Sequence, residues 1–136
     1  MIPPDRSFLI ETNRKVINEH PEVYDVIGGR GDELDSVLEI FESVGSDDEP
    51  ENLIIKAAHL ALSISWVQPF LGGNKRTALL AATTFLEENG YSLEILPEDE
   101  GHIRELLYRI QDLRSDLDSS IIDKMILYIC KNIKKL

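Results

Sequence analysis

Between Trp66 and Tyr91 the chain reads WVQPFLGGNKRTALLAATTFLEENGY. Two apolar helical stretches are separated by a loop holding two glycines, an amide and two cations. Pro69 cannot continue the first helix, Phe70 is apolar enough to pin the turn to a core, and Gly72-Gly73 can take backbone angles closed to other residues. The N–H groups at the start of the second helix have no acceptor within it, and such a start carries about half a positive charge. With two cations alongside, Gly73, Asn74, Lys75 and Arg76 form a candidate phosphate seat. An ordinary helix-start turn uses the same residue types, and on the residues alone both readings stand. A P-loop is excluded, because the glycine spacing before Lys75 is wrong and no strand precedes it.

Such a loop needs rigid elements on both sides, and helical periodicity runs through nearly the whole chain. Phe8, Leu9, Thr12, Val16 and Ile17 predict a first amphipathic helix, stopped near His20-Pro21. YDVIGGRG, Tyr24 to Gly31, has three glycines in eight residues and is the best place for a turn or small hairpin. Asp32 is then expected to cap a helix with a Leu34, Val37, Leu38, Phe41 stripe. The acidic linker GSDDEPE and Asn52 precede a helix from Leu53 to Val67 that is apolar except at Lys56, His59, Ser63 and Ser65. The helix after the loop, Asn74 to about Asn89, is apolar or small all round, and its alanines permit close packing at the centre of a bundle. Asn89-Gly90 predicts a left-handed stop. Ile103, Leu106, Leu107, Ile110 and Leu113 form a fifth stripe. Ser119 or Ser120 is expected to cap a sixth helix carrying Ile122, Met125, Ile126, Ile129 and Ile133. The expected fold is a single all-α domain over residues 1–136, about six helices around the central motif helix, with a possible short β-hairpin.

The 136 residues suffice for one core, and 43% hydrophobic with 29% charged is an ordinary globular composition. No apolar run approaches a membrane span and no secretory leader pattern opens the chain, so a cytoplasmic location is expected. Lys and Arg number 14 against 25 Asp and Glu, a net charge of −11, which disfavours nucleic-acid binding. The one cysteine, Cys130, excludes an intrachain disulfide and is expected as a buried thiol. His59 precedes Gln68 by two and a half helical turns, about 13 Å, too far to act at the loop. His20 and His102 flank turns and read as solvated.

QPFLGGNKRTA, Gln68 to Ala78, with the later FLEENGY, resembles the central motif of the Fic/Doc family and especially its death-on-curing (Doc) branch. That branch carries His-x-Phe-x-(Asp or Asn)-(Gly or Ala)-Asn-Lys-Arg-Thr-Ala, then Phe-Leu-x-x-Asn-Gly. Pro69, Phe70, Gly73, Asn74, Lys75, Arg76, Thr77, Ala78, Phe85, Leu86, Asn89 and Gly90 match. GGRGDELDSVLEIFES, Gly28 to Ser43, also resembles the Doc-type segment in which glycines precede a helix.

The resemblance implies a compact α-helical fold that transfers AMP, or in the Doc toxin the terminal phosphate, from a nucleoside triphosphate to a protein hydroxyl. It makes the motif His the general base and the motif acid the holder of Mg²⁺. By position, Asn74, Lys75 and Arg76 become phosphate-binding, and Val26, Ile27, Gly28 and Gly29 become a flap that aligns a target chain. Gln68 stands in the place of the base and Gly72 in the place of the acid, so Mg²⁺ has no protein ligand there. Lys75, where AMP-transferring members usually have Gly, leans toward the Doc mode. A small antitoxin partner is implied by the same resemblance. Thr84 to Asn89 fits the family's autoinhibitory pattern but falls inside the motif helix's own ending. Three functions follow: a nucleotide-binding domain impaired in transfer, an active transferase with a substitute base, or a protein-interaction module without catalysis.

Overall fold

In a computed structural model, described over residues 1–19, 30–45, 49–112 and 119–136, the chain is an all-α bundle with one small sheet. Six helices are seen: α1 Arg6–Glu19, α2 Gly31–Ser43, α3 Pro50–Val67, α4 Asn74–Glu88, α5 Glu100–Asp112 and α6 Ser119–Asn132. Strands β1 (Tyr91–Leu93) and β2 (Ile133–Lys135) pair antiparallel, with Tyr91 opposite Lys135 and Leu93 opposite Ile133. No helix among the described residues is long and apolar enough to cross a membrane.

α3 packs against α2, α4, α5 and α6, and its contact with α4 is the most extensive in the bundle. Small residues make this approach possible: Ala57, Ala58 and Ala61 on α3, and Ala78, Ala81 and Ala82 on α4, are all buried. The α2–α4 contact includes Phe41 and Phe85 edge to face, with centroids 5.1 Å apart. α3 is bound to α5 by Ser65, whose hydroxyl donates to the Leu107 carbonyl at 2.9 Å. α4 stops as predicted, with Gly90 at φ +93 and the Asn89 N–H donating to Leu86 O. The Asn89 side chain also exchanges hydrogen bonds with both backbone groups of Ile2, tying the N-terminus to this helix end.

Several local expectations are corrected. Asp32 does not cap α2: the N-cap is Arg30, without a side-chain cap bond, and Asp32 lies in the first turn. Ile133 continues the helical period of α6 but leaves the helix to pair with β1. Cys130 is exposed rather than buried, because the buried stripe Ile121, Met125, Ile129 repeats every fourth residue and Cys130 lies about 100° past it. Of the turn or hairpin expected over Tyr24 to Gly31, Arg30 and Gly31 instead cap and begin α2; residues 24–29, with Val26, Ile27, Gly28 and Gly29, lie outside the described residues, as do His20 and Leu113.

Lys56 is the unexpected core residue, only 2% exposed. Its ammonium donates to the Phe41 carbonyl at 2.8 Å and lies 4.4 Å from the Phe41 ring centroid, so a cation closes the C-terminal end of α2. Burial lowers its pKa, and the charge of Glu42 opposes that shift only in part. Since the folded pKa is depressed, folding is disfavoured by the buried charge at low pH. That penalty is relieved as pH rises through the folded pKa toward the ordinary lysine range near 10.5. Urea unfolding of the wild type should therefore gain stability relative to Lys56→Met across that window. Parallel pH profiles for the two proteins would refute it.

Candidate functional site

The loop joining α3 to α4 has left-handed residues at both ends, Gln68 (φ 54, ψ 61) and Gly73 (φ 72, ψ 19). Gly72 lies outside the left-handed region, so the expectation that both glycines supply unusual backbone is corrected: Gln68 does so in place of Gly72. A side chain in this conformation costs roughly 1–2 kcal/mol and persists only where the surroundings hold it. They do so here. The Gln68 N–H donates to Ile64 O at 2.9 Å, closing the last turn of α3. The Arg30 guanidinium donates to the Gln68 carbonyl, and the Arg30 N–H donates to the Pro69 carbonyl at 2.9 Å. The start of α2 thus holds the first half of the loop.

Asn74 holds the second half. The Phe70 N–H donates to Asn74 Oδ1 at 3.1 Å, and Asn74 Nδ2 donates to the Phe70 carbonyl at 3.0 Å, while the Phe70 ring is buried. The Asn74 side-chain amide is thereby engaged with the loop, and its N–H is what it presents at the helix start. The first bond of α4 runs from Thr77 N–H to Gly73 O at 2.9 Å. The N–H groups of Asn74, Lys75 and Arg76 precede it and have no acceptor within the helix.

Asn13 on α1, 1% exposed, is the residue that sequence reasoning missed. Its Nδ2 donates to the Gly72 carbonyl at 2.9 Å and to Thr77 Oγ1 at 3.1 Å, bridging the loop and the first turn of α4. The available signal is a polar residue at the centre of the apolar face formed by Leu9, Val16 and Ile17. Gly73 passes so close to α1 that a Cβ there would lie 3.1 Å from Val16 Cγ1. With its positive φ, this makes glycine the fitting residue.

Lys75 Nζ lies 4.2 Å from the centroid of the Tyr108 ring on α5, and Arg76 is exposed. His59 Nδ1 lies 2.8 Å from Ile55 O, one turn farther from the loop, and His102 is exposed. Among the described residues no three of His, Cys, Asp and Glu converge as a metal site. The helix start can therefore offer amide donors to an anion, with Lys75 and Arg76 on the same turn.

A family model described as the Fic/DOC family matches residues 3–86. The chain belongs to the Fic/DOC family. The match covers more than half of the chain and takes in α1, α2, α3, the loop and nearly all of α4. Asn13, Arg30 and the Gly73–Arg76 helix start thus lie within the Fic/DOC region, which is a fold of the nucleotide-transfer type, whereas Tyr108 and the sheet lie beyond it. No curated protein and no solved structure matches the chain.

Proposed function

We propose that this Fic/DOC domain belongs to the Doc-like branch and binds a nucleoside triphosphate through Gly73, Asn74, Lys75 and Arg76. Its transfer of a phosphate or nucleotidyl group to a protein hydroxyl is impaired. The observation that carries the binding half is the rigid α4 start: three N–H groups ahead of the first helical bond, braced by Asn13 and Asn74, with Lys75 and Arg76 on the same turn. Helix starts of this kind favour anions through both the amides and the dipole.

The impairment half rests on Gln68 and Gly72. An amide does not titrate near neutrality, so Gln68 can hydrogen-bond a hydroxyl but not take its proton. The residues present do not fit a protein-held Mg²⁺ either. The loop brings no carboxylate, and its Gln68, Pro69, Phe70 and Gly72 carbonyls each already accept a protein hydrogen bond. A metal arriving with a nucleotide would be held by phosphate oxygens and water.

Titration calorimetry with ATP, GTP, UTP and CTP, with and without Mg²⁺, tests the binding. At least one nucleotide should bind. Lys75→Ala should weaken that binding about 10- to 100-fold, the effect of removing one charge-assisted hydrogen bond. Absence of binding for all four under both conditions would sink the proposal.

A further inference from the structure

The chain carries a net charge of −11, yet its sign reverses at the C-terminal end, where residues 119–136 hold Lys124, Lys131, Lys134 and Lys135 against the single acid Asp123. On α6, Leu127 lies three residues after Lys124 and four before Lys131, so the three share one helical face, and all are exposed, Leu127 at 54%. His102 near the start of α5 joins them, and with Tyr128 these residues line one cleft of about 150 Å³. The tyrosine wall is fixed: Tyr128 is partly buried, donates its hydroxyl to Asp99 Oδ2 at 3.0 Å and accepts from the Leu96 N–H at 3.4 Å. Among the described residues neither Lys124 nor Lys131 forms an ion pair. The cleft lies wholly beyond residues 3–86, outside the Fic/DOC region and apart from the loop before α4.

We propose that this cleft docks an acidic segment of a partner protein, which sets an apolar side chain on Leu127 and Tyr128 and carboxylates on Lys124 and Lys131. The proposal is independent of the nucleotide reading. Seven helical residues place the two lysines about 10.5 Å apart along α6, so a partner helix with carboxylates two turns apart and an apolar residue between them matches both. The His102 ring N–H is a further donor to such a carboxylate. Charge decides against the other occupants. An anionic bilayer would meet the acidic remainder of the chain as well as this face, whereas a short segment lies within a screening length, about 10 Å, of the lysines. A second copy presenting the same face would set lysine against lysine.

The probe is a fluorescent synthetic helix repeating Glu-x-x-Leu-x-x-x-Glu, titrated with the full chain and followed by anisotropy. It should bind the wild type, and more weakly as salt rises. Lys124→Glu with Lys131→Glu should weaken binding about 10-fold or more, and Leu127→Ser about 5-fold. These positions are exposed, so the variants should keep the wild-type circular dichroism and unfolding midpoint. A peptide that fails to bind the wild type, or binds the lysine reversal equally well, overturns the proposal. Binding of phosphatidylserine vesicles in place of the peptide would make the face a membrane surface, and a dimer dissolved by the lysine reversal would make it a contact between copies; either result overturns it too.

Discussion

Replacing Asn13 by leucine should lower stability by about 2–3 kcal/mol and the unfolding midpoint by roughly 5–15 °C, although no charge or large apolar group is lost. The Asn13 amide is buried, and its Nδ2 donates both to the Gly72 carbonyl and to the Thr77 hydroxyl, itself inaccessible to solvent. Leucine fills a similar volume and donates nothing, so the buried Thr77 oxygen and the partly buried Gly72 carbonyl lose a donor, and at Thr77 water has little room to replace it. Leaving such a group unsatisfied costs about 1–3 kcal/mol. Nucleotide binding should fall with stability, because Gly72 and the first turn of α4 lose their common brace. Thr12→Val is the matched control on the same helix: Thr12 Oγ1 donates only to Phe8 O one turn back, and that carbonyl keeps its place in the helix. Its loss should be under about 1 kcal/mol. Urea unfolding that gives the two variants equal losses would show that the bridge to Gly72 and Thr77 does not hold the loop.

What could be read in the sequence was whatever is specified locally. The start of α4 after Gly73, its stop at Asn89-Gly90 and the proline at the start of α3 follow from backbone preferences of single residues, and all three stand in the structure. Close packing of α4 is legible in its alanines, whereas the helix that packs on most of the others is α3 rather than α4. Features made across long separations were not. Asn13 meets Gly72 at a distance of 59 residues, and Arg30 meets Gln68 at a distance of 38; the apolar face around Asn13 marks it as unusual but names no partner, and nothing local marks Arg30. Lys56 reads in the sequence only as a polar exception on an apolar helix, and the open carbonyl end of α2 supplies the partner that makes its burial tolerable. Ile133 fits the period of α6, and pairing with Leu93 overrides that period.

The division of the loop into a phosphate-holding part and a part without base or acid has a direct consequence. Gln68→His together with Gly72→Asp should raise protein labelling from radioactive ATP by about 10²- to 10⁴-fold over the wild type, equivalent to about 3–5 kcal/mol of barrier. The backbone favours the change, because histidine is among the residues that populate left-handed geometry most readily, and Arg30 already fixes the Gln68 peptide. Position 72 is outside the left-handed region, so aspartate meets no backbone penalty of that kind. In the reaction so restored, a target hydroxyl oxygen forms the bond to phosphorus, its proton passes to the imidazole, and the bond to the departing nucleoside diphosphate or pyrophosphate breaks. Label on the terminal phosphate against label on the α-phosphate reports which group moved. The single variants carry their own signs. Gly72→Asp alone sets a carboxylate beside the anion seat, so it should weaken nucleotide binding without Mg²⁺ and recover it with Mg²⁺, which bridges the two anions. Gln68→His alone should leave binding nearly unchanged and raise labelling less than the pair does. A double variant that binds nucleotide as tightly as the wild type yet adds no label would show that the limitation lies elsewhere. A wild type that already labels at the variant's rate would show that there is no limitation to repair.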